Sequence, residues 1–357
     1  MDIRNLLQKY FSTIKQFLPS EQKTSAVGLD IGTGECKLVE LAKTDNEFEL
    51  VSWATEPIKN GDVNAAIQKI LGELTAPCKS LYTSVFGKGT LIRYIDMPKM
   101  SLEDLKSSFD IEADKYFPFA QDQIYTDCYI LDVREKEKMM SVMAAAAKKE
   151  IVDRRVKLLD EAGASAEFIG LNPIALANVL SVLGPGKEEI VKGAEDFTIA
   201  LLDMGESVSS LTILVNNLPR FTRDIFIGGQ DFTKSIGNGL GVSFQEAEKF
   251  KRDPGERLEE IIRACDTAIM NMTQELRLSM DYFATEKNHE IDLLLLTGGA
   301  SMLEGMAESF EKNLEVKVKQ WDPVATLKMA PEISAEEIGK KTLKLGVALG
   351  LALYQYD

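Results

Sequence analysis

Histidine is almost absent: the 357 residues contain one, His289. Zinc sites built on two or more imidazoles are thereby excluded. A Ser–His or Cys–His nucleophile would have to use that single residue, which stands in Lys-Asn-His-Glu before an apolar strand and reads as a solvated loop residue. Cysteine is sparse as well. Cys36, Cys78, Cys128 and Cys265 are scattered and form no C-x-x-C, so neither a zinc knuckle nor a redox motif is indicated. Such thiol usage fits a reducing compartment rather than a disulfide framework. No apolar run reaches 18 residues, and the longest candidate, 345–354, contains two glycines; no membrane-crossing helix is expected. The first residues lack the uninterrupted apolar stretch of a secretory signal. Positive charge is in deficit, 41 Lys and Arg against 56 Asp and Glu, a net −15. An acidic surface repels a phosphate backbone, so no nucleic-acid partner is expected. A nucleotide is not excluded, because a local pocket of backbone N–H groups holds phosphate on an acidic protein too.

What is present is ordinary globular material, 45% hydrophobic and 27% charged, in a chain long enough for two compact lobes. In residues 1–18, Ile3, Leu6, Leu7, Tyr10, Phe11, Ile14, Phe17 and Leu18 recur at three- and four-residue spacing, the period of one helix face. That segment suits a membrane surface or a partner helix, and equally a helix folded on its own domain. Strands and helices then alternate. Strands are expected at 26–31, 37–42, 82–86, 91–97, 127–133, 139–146, 197–204, 211–215 and 290–297. A helix is expected at 63–75, another from the Ser101 cap to about Tyr116, and others at 148–162, 230–236 and 243–251. A long helix is expected over 256–285 and one over 301–314.

Three motifs carry chemistry. In Asp30-Ile-Gly-Thr-Gly-Glu-Cys-Lys37 the glycines let a phosphate oxygen approach successive main-chain N–H groups. Thr33 adds a hydroxyl donor, Lys37 a positive charge, and Asp30 a carboxylate that suits Mg²⁺ held through water. Asp203-Met-Gly205-Glu206-Ser207 repeats the plan strand–Asp–x–Gly–turn–strand. Taken singly, each Asp-x-Gly is a weak signal, since an aspartate before a glycine turn is commonly a structural cap. Thr297-Gly-Gly-Ala-Ser-Met302 follows a strongly apolar strand and is expected to open a helix, where main chain free of side chains meets a ribose or base. Two lobes that each open with such a hairpin would face one another across a cleft.

These motifs, in this order, resemble the two phosphate motifs and the adenosine motif of the actin-like ATPase superfamily. The resemblance runs from about residue 25 to the end. Within the superfamily the chain is most similar to the PilM family of type IV pilus assembly. The likeness is carried by Asp30-Ile-Gly with Lys37-Leu-Val-Glu-Leu41, Met97–Leu105 running into Glu112–Phe119, Ile227-Gly-Gly-Gln-Asp231 with Glu246–Lys251, and Leu345–Leu351. The fold class so implied is α/β, a two-lobed actin-like ATPase of the duplicated ribonuclease H-like type with an inserted 1C subdomain. The implied division is an N-terminal segment 1–24, then subdomain 1A at 25–97 and 161–196, with 1C inserted at 98–160. Subdomain 2A follows at 197–235 and 290–335 around 2B at 236–289, and 336–357 forms a helix returning to 1A.

The resemblance also implies ATP and Mg²⁺ between the lobes. Gly32, Thr33, Gly34, Glu35 and Lys37 would meet phosphates, with Gly205, Glu206 and Ser207 as the second hairpin. Asp30 and Asp203 would hold Mg²⁺ through water. Gly229, Glu248 and Lys251 would approach the adenosine, and Gly298, Gly299, Ala300, Met302 and Leu303 would line base and ribose. Gly34 and Glu35 stand where the family usually carries serines, and Glu35 adds negative charge beside phosphate. At the junction of the lobes, where relatives place a polar side chain that orients water, stands Asn172. A neutral amide is a poor general base, so hydrolysis is expected to be slow or absent. The family further implies a cytoplasmic protein, peripheral on the inner membrane, that forms a ring or platform. Its groove between 1A and 1C would bind the N-terminal peptide of a PilN-type membrane protein, with Tyr116, Phe117 and Phe119 as candidates to line or support it; an aromatic core beneath the helix end is the bland alternative. An FtsA-like polymerising membrane tether is the rival reading, weakened by a C-terminus with no basic face. A small-metabolite kinase of the same fold is a third.

Overall fold

The computed structural model describes residues 25–44, 47–74, 80–184 and 197–356. The amphipathic segment 1–18, its linker and Cys78 lie outside them. The first half runs β1 (Ser25–Ile31), β2 (Glu35–Lys43), β3 (Phe48–Pro57), α1 (Val63–Leu71), β4 (Leu81–Val85), β5 (Thr90–Pro98) and α2 (Leu102–Tyr116). It continues through β6 (Ile124–Arg134), β7 (Met139–Lys148), α3 (Lys149–Glu161), β8 (Phe168–Leu171) and α4 (Asn172–Leu183). The second half runs β9 (Thr198–Met204), β10 (Ser209–Val215), β11 (Leu218–Ile225), α5 (Gly229–Leu240), α6 (Phe244–Arg252), α7 (Leu258–Ala264) and α8 (Asp266–Lys287). It closes with β12 (Leu293–Thr297), α9 (Met306–Leu314), β13 (Val318–Gln320), β14 (Lys328–Met329), α10 (Ala335–Ile338) and α11 (Gly346–Leu353).

Three sheets result, in the orders β14-β3-β2-β1-β4-β8, β11-β10-β9-β12-β13 and β5-β7-β6. Each large sheet opens with an antiparallel meander and then adds parallel strands, so the two halves repeat one plan. The apolar runs fall where covered strands belong. Six of the seven residues of β1 are buried, as are all five of β12, and each strand sits inside its sheet with both faces covered.

A single apolar core joins the two large sheets. It collects Ala26 and Val39 from the first, Ile199 and Leu295 from the second, and α4 and α11 between them. Every residue of α11 is buried, and Val347, Leu349, Leu351 and Leu353 each contribute about 1.5–3 kcal/mol by leaving water. Two glycines permit the fit. A Cβ at Gly28 would overlap the Ala348 carbonyl, and one at Gly350 the Ala175 carbonyl. Backbone thus lies on backbone, at a distance no side chain would allow.

The small sheet differs from the expected insert at both edges. The whole of β5 pairs with β7, so residues 90–97 belong to this sheet as well. Helix α3 leaves it, placing Leu159 in the core beneath β1 and β2 with Ile67 and Ile70. Helix α2 starts as expected, the Ser101 hydroxyl accepting from the Asp104 N–H at 3.1 Å. Its far end corrects a site expectation. Phe117 is 2% exposed and packs with Leu105, Phe109 and Met140 inside the small unit, a position from which it supports the surface above it rather than lining one. Tyr116, tilted on Phe109 at 4.9 Å between centroids, and Phe119, beneath the Lys148 ammonium at 5.5 Å, are half-buried.

The expected helix over 256–285 is divided. A short turn at Gly255–Arg257 precedes α7, and Cys265 separates α7 from α8. The anticipated buried stripe still holds, with Ile261, Cys265, Ile269, Met272, Leu276, Met280 and Phe283 in the second lobe's core. No helix among the described residues is long and apolar enough to cross a membrane.

Candidate functional site

Antiparallel register sets the first wall. Asp30 lies opposite Lys37 across the β1–β2 hairpin, and the Lys37 ammonium reaches Asp30 Oδ2 at 2.9 Å. The Gly32 N–H donates to the Glu35 carbonyl at 3.1 Å and closes the turn. The second hairpin repeats this with different chemistry. Asp203 lies opposite Ser210, and Ser210 lies opposite Asp224 on the next strand. Cross-strand partners share a sheet face, so two carboxylates flank one hydroxyl, and the Ser210 hydroxyl donates to Asp224 Oδ1 at 3.1 Å.

The lysine serves Asp30 and leaves Asp203 without a cation of its own. Burial, then repulsion from Asp30, pushes the Asp203 carboxyl up to about 6, against partial relief from Lys37. Burial alone would lower Lys37, but Asp30 and Glu35 more than offset it and hold the ammonium above its usual range. Burial also raises Asp224, although the Ser210 hydroxyl and the Gly87 N–H act the other way.

The two hairpins touch. Ser207 Oγ donates to Thr33 Oγ1 at 3.2 Å, and a Cβ at Gly34 would overlap the Glu206 carboxylate. The second hairpin is also tied to the start of α5, where the Gly229 N–H donates to the Gly205 carbonyl at 2.9 Å and the Gln230 N–H to the Glu206 carbonyl at 2.8 Å.

The third wall is the turn after β12. Gly298 has φ +87°, and a Cβ there would meet Asp203 Oδ1 and the Met204 backbone; only glycine fits. The turn is pinned by Thr297 Oγ1 and the Gly298 N–H, which donate to the Leu343 carbonyl at 2.9 and 2.8 Å. One expectation is corrected here. The Gly-Gly turn leads into a short 3₁₀ segment, Gly299–Met302, and α9 begins only at Met306. No α-helix N-terminus therefore points from this turn. The chain first has to pass Leu303 into the core and make the αL residue Gly305.

Glu248 and Lys251 come together as an ion pair of 2.7 Å. The Lys251 ammonium also donates to Thr233 Oγ1 at 2.6 Å and to the Gly229 carbonyl at 3.0 Å. Burial would raise Glu248, yet Lys251 and Thr233 hold it below the usual carboxylate range. On the far side the Ser84 hydroxyl donates to Asn172 Oδ1 at 2.6 Å, which fixes the amide at the start of α4.

These groups border one cleft of about 460 Å³ between the large sheets, within the usual range of small-molecule sites. Asp30, Gly32, Thr33, Gly34, Glu35, Lys37, Asn172, Asp203, Gly205, Glu206, Gly229, Glu248, Lys251, Gly298, Gly299, Ala300, Met302 and Leu303 all line it. Ser207 does not; its hydroxyl is spent on Thr33. Sequence reasoning missed Asp224, Lys341 and Lys344, which also line the cleft. Lys344 bonds both oxygens of Glu35, at 2.9 and 3.2 Å, and so answers the charge that Glu35 adds to the first hairpin. No motif marks that lysine. Asp224 was findable as the cross-strand neighbour of Ser210. Among the described residues no three His, Cys, Asp or Glu side chains are placed to hold a metal directly. Asp30, buried, and Asp203, half-buried, share one lysine and leave uncompensated negative charge, which suits a cation held through water.

Comparison with known proteins agrees with this geometry. The family described as Type IV pilus assembly protein PilM matches residues 28–356. A solved structure described as a PilM-PilN type IV pilus biogenesis complex superposes with TM-score 0.80 at 26% identity, over 94% of this chain and 99% of that one. EutJ, an ethanolamine utilization protein from Carboxydothermus hydrogenoformans, shares the fold at TM-score 0.53 and 17% identity, over 94% of this chain and 91% of its own. The cell division protein FtsA of Bacillus subtilis is 23% identical over 264 residues, covering 64% of this chain and 58% of its own length. That of Streptococcus pneumoniae is 22% identical over 351 residues, covering 83% and 75%. With the duplicated lobes and the cleft between them, the chain belongs to the PilM family of type IV pilus assembly proteins and has the actin-like ATPase fold.

Proposed function

We propose that the chain binds ATP with Mg²⁺ in the interlobe cleft and serves pilus assembly as a nucleotide-dependent binding platform for a PilN-type membrane protein. The observation that carries this reading is the opposition of two Asp-x-Gly hairpins across one cleft, with Gly298 pressed against Asp203. Main-chain N–H groups of both turns, with Thr33 and Lys37, hold the phosphates. Asp30 and Asp203 take the cation through water, and its charge when bound offsets both phosphate and Asp203. Glu248 and Lys251, immobilised by Thr233, bound the adenosine side. Residues 298–303 offer main chain and the Met302 and Leu303 side chains to ribose and base.

Asn172 orients water without accepting its proton, since Ser84 already engages its oxygen. Hydrolysis is therefore slow or absent, and ligand binding biases the lobes between two conformations. The peptide groove lies between the first sheet and the small sheet, with Tyr116 and Phe119 at its edge. The 26%-identical structure described as a PilM-PilN complex supports such a partner. We place the protein at the cytoplasmic face of the inner membrane, in a ring or platform. Calorimetry tests the reading. ATP–Mg²⁺ binding lost on Asp203→Ala, with peptide affinity that changes on adding ATP, supports it. Nucleotide binding in neither protein would leave a peptide scaffold with an inert cleft.

A further inference from the structure

The chain's one histidine is not a loop ornament. A second cavity, of about 230 Å³, opens where the small sheet faces the second lobe, and His289 lines it. Three separate segments supply the walls. The small sheet gives Tyr94, Asp96, Asp132, Arg134 and Ser141; β11 gives Arg220; Lys287 and His289 flank the end of α8. The two sides are joined beside the cavity, the hydroxyls of Tyr94 and Thr222 lying 2.8 Å apart. No residue of this cavity lines the interlobe cleft.

The charges here are unbalanced. Asp96 is already engaged, by the Ser141 hydroxyl at 2.6 Å and by Arg134 at 2.8 Å. Arg134 is drawn toward Asp96 and Glu137 through its terminal nitrogens, and its Nε–H is buried without a partner. Among the described residues, Arg220 and Lys287 have no carboxylate within ion-pair reach and His289 has no hydrogen-bond partner. Asp132 is the one remaining acid, and it is exposed at the rim. With Asp96 spent on Ser141 and Arg134, the donors Arg220, Lys287 and His289 outnumber the acids left to them.

We infer that this cavity is an oxyanion site, taking one phosphate or carboxylate group against Arg220 and His289, with Lys287 at the rim and Arg134 holding Asp96 away from it. Its volume suits one such group and some water, not a nucleotide. Arginine's fork geometry suits both anions. Because the walls come from the small sheet, β11 and the end of α8, an occupant clamps the small unit onto the second lobe.

A sole histidine is also a site-specific reporter. The full chain, isotope-labelled at histidine, is titrated with inorganic phosphate and separately with acetate. Chloride at the same pH and ionic strength is the control, since salt alone screens charge on an acidic protein. The expected result is a saturable shift of the His289 imidazole signals by one or both oxyanions, and the stronger binder names the class. Arg220→Ser is expected to weaken that binding at least tenfold while the thermal melt stays unchanged. Should the serine variant melt early, Arg220→Gln serves in its place. The interlobe hairpins also attract phosphate, but binding there does not move the His289 signals. Signals that follow phosphate and acetate no further than chloride, or a titration that Arg220 variants leave intact, overturn the inference.

Discussion

Thr33 and Ser207 are separated by 174 residues of chain and joined by a hydrogen bond of 3.2 Å. The two phosphate-type hairpins thus meet tip to tip, and the Glu206 side chain fills the space that Gly34 leaves. The contact bridges the two lobes at one edge of the cleft, while the turns on either side of it still line the cleft.

Substitution of Gly34 by valine is expected to displace the Glu206 carboxylate and, where the bulkier side chain also meets the opposite turn, to part the tips, at little cost. The obstructing atoms belong to the end of a flexible side chain. Stability should stay within about 1 kcal/mol of wild type, while the radius of gyration by small-angle scattering rises toward an open form. An unchanged radius would show that Glu206 simply rotates away.

A side chain added at Gly28 has the opposite character. There the obstacle is the Ala348 main chain, which moves only with α11. Gly28→Ala is expected to cost about 3 kcal/mol or more, read as a shift in the urea midpoint. A loss under about 1 kcal/mol would mean that α11 is free to slide.

Glu35 and Lys344 form a pair whose side chains are each 21% exposed. Lys344→Ala leaves Glu35 unpaired beside the proposed phosphates and should weaken ATP about fivefold. Glu35→Gln in the same chain should restore most of that. A double-mutant cycle on stability should return a coupling of about 1 kcal/mol or less. Additive single effects on ATP affinity would remove Glu35 repulsion as the cause.

Asp203 sets a pH dependence. Burial and the neighbouring Asp30 push its carboxyl up to about 6 in the fold, above the ordinary aspartate value near 3.8. Between those values the folded chain keeps a proton that the unfolded chain has released. Stability therefore falls as pH rises through that window and stays lower above it. Without divalent cation, Asp203→Asn should flatten this fall and be more stable at pH 7 by up to about 3 kcal/mol. A variant that is equally or less stable at pH 7 would mean that Asp203 is ionised at no cost.

The two hairpins and the glycine turn were legible because each is a local string with its own turn chemistry. The alternation of apolar strands and amphipathic helices showed the duplicated α/β plan for a similar reason. Lys344 was not legible: a lysine in a charged stretch acquires a role only once α11 carries it to Glu35. The break at Cys265 was hidden by an apolar stripe that continues across it. Phe117 was ambiguous because an aromatic at a helix end reads the same whether it faces a groove or, as here, Leu105 and Met140.

The packing of α11 has a consequence for the order of folding. The Tyr356 hydroxyl donates to the Leu41 carbonyl at 2.9 Å across 315 residues of chain. Strands β1 and β2 thus have one face that stays unburied until a segment 315 residues further along the chain has been made. Contacts that close such long loops form late. During synthesis β1 and β2 must remain soluble with that face open, a natural point for a chaperone to act. Once α11 has seated itself, neither lobe unfolds without the other.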